Sequence, residues 1–447
     1  MSRERETHGA ICIAVQLDAR SFQQEISHGQ IQTAQFSRYR GRGLGEKLMK
    51  LIKHVSIFDT TLRDGEQAPG YSLTTGQKVG IAEACERLGV NTIEIGFPAS
   101  SPDDFESARQ ICKVLSRAVP CGFARTVVAD IDACAESMES AANPRIQLAS
   151  VGSDIHIKYK RGITRQQVMQ ETVDAIDHAK RVGFRDISLL LEDATRSDFS
   201  FIKRLIGAGI EHGIMSIVVP DTVGYCLPGE YYALVKELRD FVGEDIQISV
   251  HCHNDLGLAV ANSIAGIEAG ADEVQATLCG IGERAGNASM EEIVAILCHK
   301  GEYLHRTHDI VQHRLHETCS LVAEHLNLNI PLHKPIIGRN AFSTEAGMHQ
   351  QGIMKYRFTY EFMRAADFGA ESRMVIGRHS GRNILRQRLA SAGIKEIDCT
   401  VLDRVYAAIM SDEHADKYND PKLLMEQYKL QESEGIPAGR QAGAHAN

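Results

Sequence analysis

Short apolar segments recur at regular intervals between residues 54 and 278, and most of them are rich in isoleucine or valine. These eight segments cover 54–58, 92–97, 119–124, 145–151, 186–191, 216–219, 246–250 and 273–278. Nearly continuous apolar runs of this length are typical of buried parallel strands. Helical patterns separate them, and the first can be capped by Thr74 or Thr75 and can end at Gly89. Eight strands that alternate with helices predict a (β/α)8 TIM barrel.

The carboxyl ends of the predicted strands are much more polar than their amino ends. In chain order these ends read DTTLRD, GFP, AR, GSDIH, EDATR, PDTVGY, HCHND and GIGERAGN. Active sites of such barrels lie at this end of the strands. A doubly wound open sheet is the alternative fold, but it rarely provides eight strand ends of this kind. The α/β barrel is therefore the predicted fold class.

The remaining sequence predicts flanking regions around one barrel. We expect an amino-terminal extension over 1–53, the barrel over 54–304, a mostly helical subdomain over 305–430 and a disordered tail over 431–447. Within the subdomain, helical patterns cover 307–327, 381–393 and 398–428, and 328–360 is predicted to be irregular. The irregular stretch contains Pro331, Pro335, Gly338 and Gly347, which interrupt regular structure.

Composition narrows the classes of function. The net charge of −9 makes general binding to nucleic acid improbable. The 11 cysteines are an odd number without a CxxC pair, which favours reduced thiols in the cytoplasm over a disulfide framework. No apolar stretch reaches the length needed to span a membrane, and no signal-peptide core is present in residues 1–53.

A metal site is predicted where strands one, seven and eight end. His251 and His253 are two residues apart on a strand, so both imidazoles face the mouth of the barrel. Asp64 ends strand one, which neighbours strand eight in a closed barrel, and Asn287 follows strand eight. Two imidazoles, a carboxylate and an amide oxygen suit Zn²⁺, Mn²⁺ or Mg²⁺ with room for a substrate.

Other polar strand ends are candidates for binding substrate. Arg63 can hold an anion beside Asp64, and the glycine-rich loop 280–287 can cradle an anionic group. Glu192 is a candidate base or hydrogen-bond organiser, and Thr222 can donate to a carboxylate. Their neighbours Asp193 and Asp221 can equally be helix caps.

At these residues the chain resembles the 2-isopropylmalate synthase/homocitrate synthase family of metal-dependent acyltransferases. The motifs that carry the resemblance are LRDGEQ, GFPASSPDDF, EDATRSD, PDTVGY, HCHNDLGLAVANS, GIGERAGN, AFSTEAGMHQQG and IGRHSGR. They follow one another in collinear order over residues 54–393. The resemblance implies a condensation of acetyl-CoA with a 2-oxo acid, on a divalent metal, that releases CoA and a 2-alkylmalate.

The resemblance also implies roles for individual residues. Arg63 stabilises the developing alkoxide, and His349 in GMHQQG takes a proton from the acetyl methyl group. Glu345 orients His349 if this segment is helical, and Tyr360 matches a tyrosine near the substrate. In relatives the region after the barrel reaches over the partner subunit, so a homodimer with shared active sites is implied.

Some positions depart from the family pattern and leave the substrate open. Gln147 aligns with a usual histidine, Leu190 with a small polar residue, and Gln351 with the acid of HQD. Gln147 and Leu190 line the pocket for the 2-oxo acid side chain in relatives. The candidates are 2-oxoisovalerate, as in 2-isopropylmalate synthase, then 2-oxoglutarate, as in homocitrate synthase, and phosphonopyruvate or phenylpyruvate.

Two further activities remain as alternatives. One is a carbon–carbon lyase that acts on hydroxymethylglutaryl-CoA, and the other is a catalytically silent binder of oxo acid or acyl-CoA. The sequence ends before the carboxyl-terminal domain through which leucine inhibits many isopropylmalate synthases, so feedback by that route is not expected.

Overall fold

A computed structural model describes residues 52–394 and 396–434. Most of the predicted extension over 1–53 and most of the predicted tail over 431–447 lie outside these residues. Residues 431–434 belong to a helix, so the prediction of disorder is wrong for the beginning of the tail. A two-stranded parallel ribbon joins Lys53–His54 to Arg306–Thr307 and is described here by itself.

Eight parallel strands close into a barrel in chain order. They are β1 Ser56–Asp59, β2 Thr92–Glu94, β3 Val119–Arg125, β4 Arg145–Val151, β5 Asp186–Glu192, β6 Ser216–Asp221, β7 Gln247–Cys252 and β8 Glu273–Ala276. Pairing of Ser56 with Glu273 and of Asp59 with Ala276 brings the first strand against the last. The predicted fold class is confirmed, and each predicted apolar segment overlaps one strand of the barrel.

A helix follows each strand. They are α1 Thr75–Leu88, α2 Pro102–Val114, α3 Val128–Ser137, α4 Arg165–Arg181, α5 Phe199–His212, α6 Pro228–Val242, α7 Ala259–Ala269 and α8 Met290–Leu304. Of the two predicted cap residues, Thr74 caps α1, because its hydroxyl accepts a bond from the Gln77 amide at 3.3 Å. Gly89 ends α1 in the left-handed conformation, with φ 93°.

Two ion pairs of the buried Arg145 side chain close the barrel interior at the amino ends of the strands. Nη1 of Arg145 lies 2.8 Å from the Glu273 carboxylate, and Nε of the same side chain lies 2.9 Å from Asp186. Since Arg145, Glu273 and Asp186 begin β4, β8 and β5, the two ion pairs join three strands at their amino ends. The interior is a packed core rather than a pore, and the opposite end is left for the site.

The region after the barrel is mostly helical, as predicted, although its boundaries differ from the predicted ones. Its helices are α9 Leu315–His325, α10 Gly347–Lys355, α11 Arg382–Ser391, α12 Cys399–Ser411 and α13 Pro421–Glu434. The pattern over 398–428 is two helices, because a 3₁₀ turn over Ala415–Asn419 separates α12 from α13. The stretch 328–360 was predicted to be irregular, and this is wrong for α10.

Two hydrophobic cores organise the described residues from Val55 onward. The larger one fills the barrel and its helix layer and also includes Ile337, Phe342 and Phe368 from the region after the barrel. The smaller one joins α11, α12 and α13 through residues such as Leu389 and Leu402. No helix in the described ranges is both long and apolar enough to cross a bilayer.

Candidate active site

Three predicted metal ligands meet at the mouth of the barrel. Oδ2 of Asp64 lies 3.1 Å from Nε2 of His251 and 3.5 Å from Nε2 of His253. The two Nε2 atoms are 3.2 Å apart, and all three side chains are at most 7% exposed. The alternation of β7 aims both rings inward, as the sequence predicted, and the turn after β1 brings the carboxylate to them. These residues form a candidate metal centre.

The glycine-rich loop places Asn287 beside His253 through an isolated antiparallel bridge. A side chain at Gly282 would place its Cβ 2.1 Å from Nδ2 of Asn287, and one at Gly286 would place it 2.1 Å from the Gly280 carbonyl oxygen. Both positions also have positive φ, 154° and 90°. Glycine is therefore required for this tight loop, whose fold delivers the asparagine.

The charges of the triad favour a bound cation. Burial alone would raise the pKa of Asp64, but Arg63, His251 and His253 together hold it well below its usual range. Burial and the neighbouring His251 lower the pKa of His253 to about 4. At neutral pH the carboxylate is therefore ionised and the ring of His253 is neutral, which are the states that bind metal.

The donor set fits a divalent cation. Oδ1 of Asp64 and Oδ1 of Asn287 are buried oxygen atoms without a hydrogen-bond partner among the described residues. Buried polar atoms without partners are unusual in native proteins and call for an explanation such as an ion. Ligand atoms about 2.1 Å from one metal ion lie about 3.0 to 3.4 Å from one another, close to the spacing of the triad.

Arg63 is held beside the triad by two carboxylates. Its Nε lies 2.7 Å from Oε2 of Glu94, and its Nη1 lies 3.3 Å from Oδ2 of Asp64. The guanidinium also stacks on Phe123, with Cζ 4.9 Å from the ring centre. These contacts use Nε and Nη1, and within the described chain Nη2 makes no hydrogen bond. This nitrogen can donate to an anionic ligand at the mouth.

Gln147 and Leu190 lie deeper in the barrel than the triad. Gln147 is fully buried, and its amide bonds Glu94 at 2.9 Å and Gln275 at 2.8 Å. Leu190 is 7% exposed on β5, where it pairs with Ala149 of β4. The predicted substrate contact of Gln147 would therefore require its amide to exchange partners.

Sequence reasoning missed Glu94 and Gln275. Glu94 binds Arg63, and Oε1 of Gln275 lies 3.0 Å from Nδ1 of His251. Both residues interrupt apolar strand patterns, TIEIGF and EVQATL. A buried strand rarely carries such a residue without a partner, so these interruptions were the available signal.

The ends of β5 and β6 carry two more predicted residues. Glu192 is bound by Lys160, whose Nζ lies 2.6 Å from Oε1 and 2.8 Å from Oε2. The hydroxyl of Thr222 accepts a bond from the Asp193 amide at 2.9 Å, so its own proton remains available. Asp193 is itself fully buried and bonded to Arg196 at 2.8 Å. Glu192 is thus a paired carboxylate, and Thr222 can still donate.

His349 and Tyr360 lie against each other in the region after the barrel. Their ring centres are 4.1 Å apart, and both residues are exposed. Gln350, the next residue along α10, is 1% exposed and anchors the helix to the carbonyl groups of Thr344 and Val375 at 3.0 and 2.8 Å. In the described chain no hydrogen bond or ion pair connects His349 to the metal centre.

Glu345 does not orient His349 in this structure. It precedes α10 instead of lying one turn earlier on it, so the helical spacing assumed for the pair is wrong. Its carboxylate accepts a bond from the His379 amide at 3.2 Å, and its carbonyl accepts one from the Ser380 hydroxyl at 3.1 Å. The structure thus assigns Glu345 to the support of the loop before α11.

The fold and the candidate metal centre define a class of barrel enzyme that family comparisons identify. Residues 54–322 match the HMGL-like family, and residues 336–417 match the homocitrate synthase post-HMGL domain-like family. The chain belongs to the HMGL-like family, and the family predicted from the motifs is confirmed.

The similar proteins include named synthases. The chain is 42% identical over 348 residues to a 2-isopropylmalate synthase of Pyrococcus furiosus, covering 77% of this chain and 70% of that protein. It is 43% identical over 371 residues to methylthioalkylmalate synthase 2, chloroplastic, of Arabidopsis thaliana, covering 79% and 73%.

Solved structures of similar fold include HMG-CoA lyases. The lyase of Bacillus subtilis superposes with a TM-score of 0.55 at 20% identity, over 65% of this chain and 97% of that chain. The hydroxymethylglutaryl-CoA lyase of Pseudomonas aeruginosa gives 0.53 at 16% identity, over 62% and 94%. These two similarities support the barrel fold alone.

Proposed function

We propose that this chain is an acyltransferase of the 2-isopropylmalate synthase type. It condenses acetyl-CoA with a 2-oxo acid and releases a 2-alkylmalate and CoA. The observation that carries the proposal is the meeting of Asp64, His251 and His253 beside Arg63, in a chain about 42% identical to named 2-isopropylmalate synthases. The post-barrel domain over 336–417 favours a synthase over a lyase.

Each residue at the mouth has a task in this reaction. Asp64, His251, His253 and Asn287 would hold a divalent cation, Mg²⁺, Mn²⁺ or Zn²⁺. When bound, this cation supplies Lewis acidity toward the carbonyl group of the oxo acid. Arg63 donates from Nη2 to the oxygen on which negative charge develops.

The substrate carboxylate and the acetyl group are served by other residues. Thr222 donates its free hydroxyl proton to the carboxylate of the oxo acid. His349 takes a proton from the acetyl methyl group, with Tyr360 packed against its ring. Glu192 keeps an organising role, since Lys160 already pairs with it.

A cavity beside the metal centre suits the acyl-CoA. Its volume is about 280 Å³, and its walls include Tyr71, Gly282, Gly286, Leu328 and Lys334. The glycine-rich loop forms one side of this cavity and also carries Asn287, so a thioester in the cavity would lie next to the metal centre.

Charge around the pocket favours an oxo acid with an apolar side chain. The distal carboxylate of 2-oxoglutarate would require a cation at the strand ends. Four cations at the strand ends are already paired with carboxylates: Lys160 with Glu192, Arg125 with Asp130, Arg196 with Asp193 and Arg284 with Asp255. Leu190 adds an apolar surface on β5. We therefore place 2-oxoisovalerate ahead of 2-oxoglutarate, phenylpyruvate and phosphonopyruvate.

We further propose that the enzyme is a cytoplasmic homodimer. The described cysteines are all free thiols, which suits a reducing compartment. The exposure of His349 and Tyr360 supports a site that the helical subdomain of a second subunit completes.

The test is CoA release from acetyl-CoA, detected with a thiol reagent, against the four oxo acids with added Mg²⁺, Mn²⁺ or Zn²⁺. We expect selective release with 2-oxoisovalerate and none after chelation of the metal. Selective release with another acid would reassign the substrate. Cleavage of hydroxymethylglutaryl-CoA without any condensation would indicate a lyase, and no turnover at all would indicate a silent binder.

A further inference from the structure

A line of buried side-chain hydrogen bonds crosses the barrel beneath the metal centre. Nδ1 of His251 lies 3.0 Å from Oε1 of Gln275, and Nε2 of Gln275 donates to Oε1 of Gln147 at 2.8 Å. Nε2 of Gln147 donates to Oε1 of Glu94 at 2.9 Å. All four side chains belong to residues that are at most 3% exposed. We call Gln275, Gln147 and Glu94 the relay.

The donors and acceptors of the relay fit together in only one order. The Glu94 carboxylate accepts from Nε of Arg63 through one oxygen, and its other oxygen accepts from the NH₂ group of Gln147. The carbonyl oxygen of Gln147 then faces the NH₂ group of Gln275, whose own carbonyl oxygen faces His251. The nitrogen of His251 that faces this oxygen must carry the proton.

The direction of the relay decides which lone pair His251 presents at the mouth. With the proton on Nδ1, the lone pair of Nε2 points to Oδ2 of Asp64, 3.1 Å away, and to Nε2 of His253, 3.2 Å away. His253 has no such support, since its Nδ1 lacks a hydrogen-bond partner in the described chain. The relay therefore acts on one ligand of the pair.

Glu94 also ties the relay to Arg63. Its Oε2 accepts from Nε of Arg63 at 2.7 Å, and the Thr60 hydroxyl donates to the same oxygen. One carboxylate thus anchors the cationic residue on one side of the mouth and, through two amides, the metal-facing imidazole on the other. A displacement of Gln147 would loosen the imidazole and leave Arg63 in place.

We propose that Gln147 and Gln275 are positioning residues that hold His251 in its metal-binding tautomer and orientation, with Glu94 as their anchor. This inference rests on the proposed function, because it assumes a cation at the triad. It gives Gln147 a role different from contact with the oxo acid side chain. Groups that orient metal ligands in this way typically contribute a factor of about 10 to 100 to metal affinity.

The test is Mn²⁺ affinity, measured by calorimetry on the full chain without substrate. Gln275→Met and Gln147→Met keep the side-chain volume and remove the relay, and we expect Mn²⁺ to bind about 10- to 100-fold more weakly. The double variant should bind no more weakly than Gln275→Met alone, because both act through the same route. Ser216→Ala is the control, since this buried barrel hydroxyl has no hydrogen-bond partner in the described chain.

The outcomes separate this inference from the proposed function. Wild-type Mn²⁺ affinity in both variants, with a raised KM for the oxo acid in Gln147→Met, would overturn the relay and make Gln147 a substrate contact. Failure of the wild type to bind Mn²⁺ would also overturn it. Normal Mn²⁺ binding without CoA release would overturn only the proposed function. If Gln147→Met does not fold, Gln147→Asn shortens the side chain and breaks the same link.

Discussion

The candidate metal centre and the helix that carries His349 differ in how fully the described residues enclose them. Asp64, His251 and His253 are at most 7% exposed and come from two strand ends that the closed barrel brings together. His349 is exposed on α10, and its ring partner Tyr360 is 53% exposed. Within the described residues, the half of the site proposed to bind metal is thus enclosed, whereas the half proposed to transfer a proton is open to solvent.

The largest effect should come from removing a ligand of the enclosed half, the candidate metal centre. Replacing His251 by alanine removes one ligand and the end of the relay, so we expect no measurable Mn²⁺ binding and a loss of CoA release of at least about 10³-fold. Calorimetry and the thiol assay measure the two quantities. His178→Ala is a matched control, because this histidine pairs with Asp132 on the helix layer. Unchanged Mn²⁺ content in His251→Ala would exclude it as a ligand.

A smaller effect is expected at the exposed half. His349→Ala should lower kcat about 10²- to 10⁴-fold, the usual contribution of a general base, and leave Mn²⁺ affinity unchanged. Steady-state kinetics beside a metal titration separate the two properties. The neighbouring Met348 is 79% exposed, so Met348→Ala is the control on the same helix. Activity near that of the wild type in His349→Ala would assign the base to another residue.

Mixing the two variants tests whether α10 acts on its own barrel or on the barrel of a second subunit. If α10 acts on the barrel of a second subunit, a mixed dimer of His251→Ala and His349→Ala contains one intact site. Equal random mixing then restores about one quarter of wild-type activity, since half of the dimers are mixed and each has one working site. The measurement is CoA release after joint refolding of the two variants. No recovery in dimers shown to be mixed would mean that α10 serves its own barrel.

The sequence predicted the enclosed half better than the exposed half. Strand alternation and the chain order of a barrel suffice to bring His251, His253 and Asp64 together, because each lies at a strand end. No such periodicity governs residues 328–360, where the position of Glu345 depends on where α10 begins. Glu94 and Gln275 were missed because their partners lie across the barrel, and sequence neighbours do not show such contacts.

The smallest effect concerns the stability that the protein loses by burying the Asp59 carboxyl group at the end of β1. Burial raises the pKa of Asp59 to about 7, whereas cationic neighbours lower that of Asp64. Folded Asp59 therefore keeps a proton that an aspartate in the unfolded chain loses above its usual pKa of 3.8, so this group makes the free energy of unfolding fall between about pH 4 and pH 7. Asp59→Asn should remove this slope, at most about 1.4 kcal/mol per pH unit. Urea unfolding at several pH values measures it, and a stability difference from wild type that is constant with pH would contradict the buried proton.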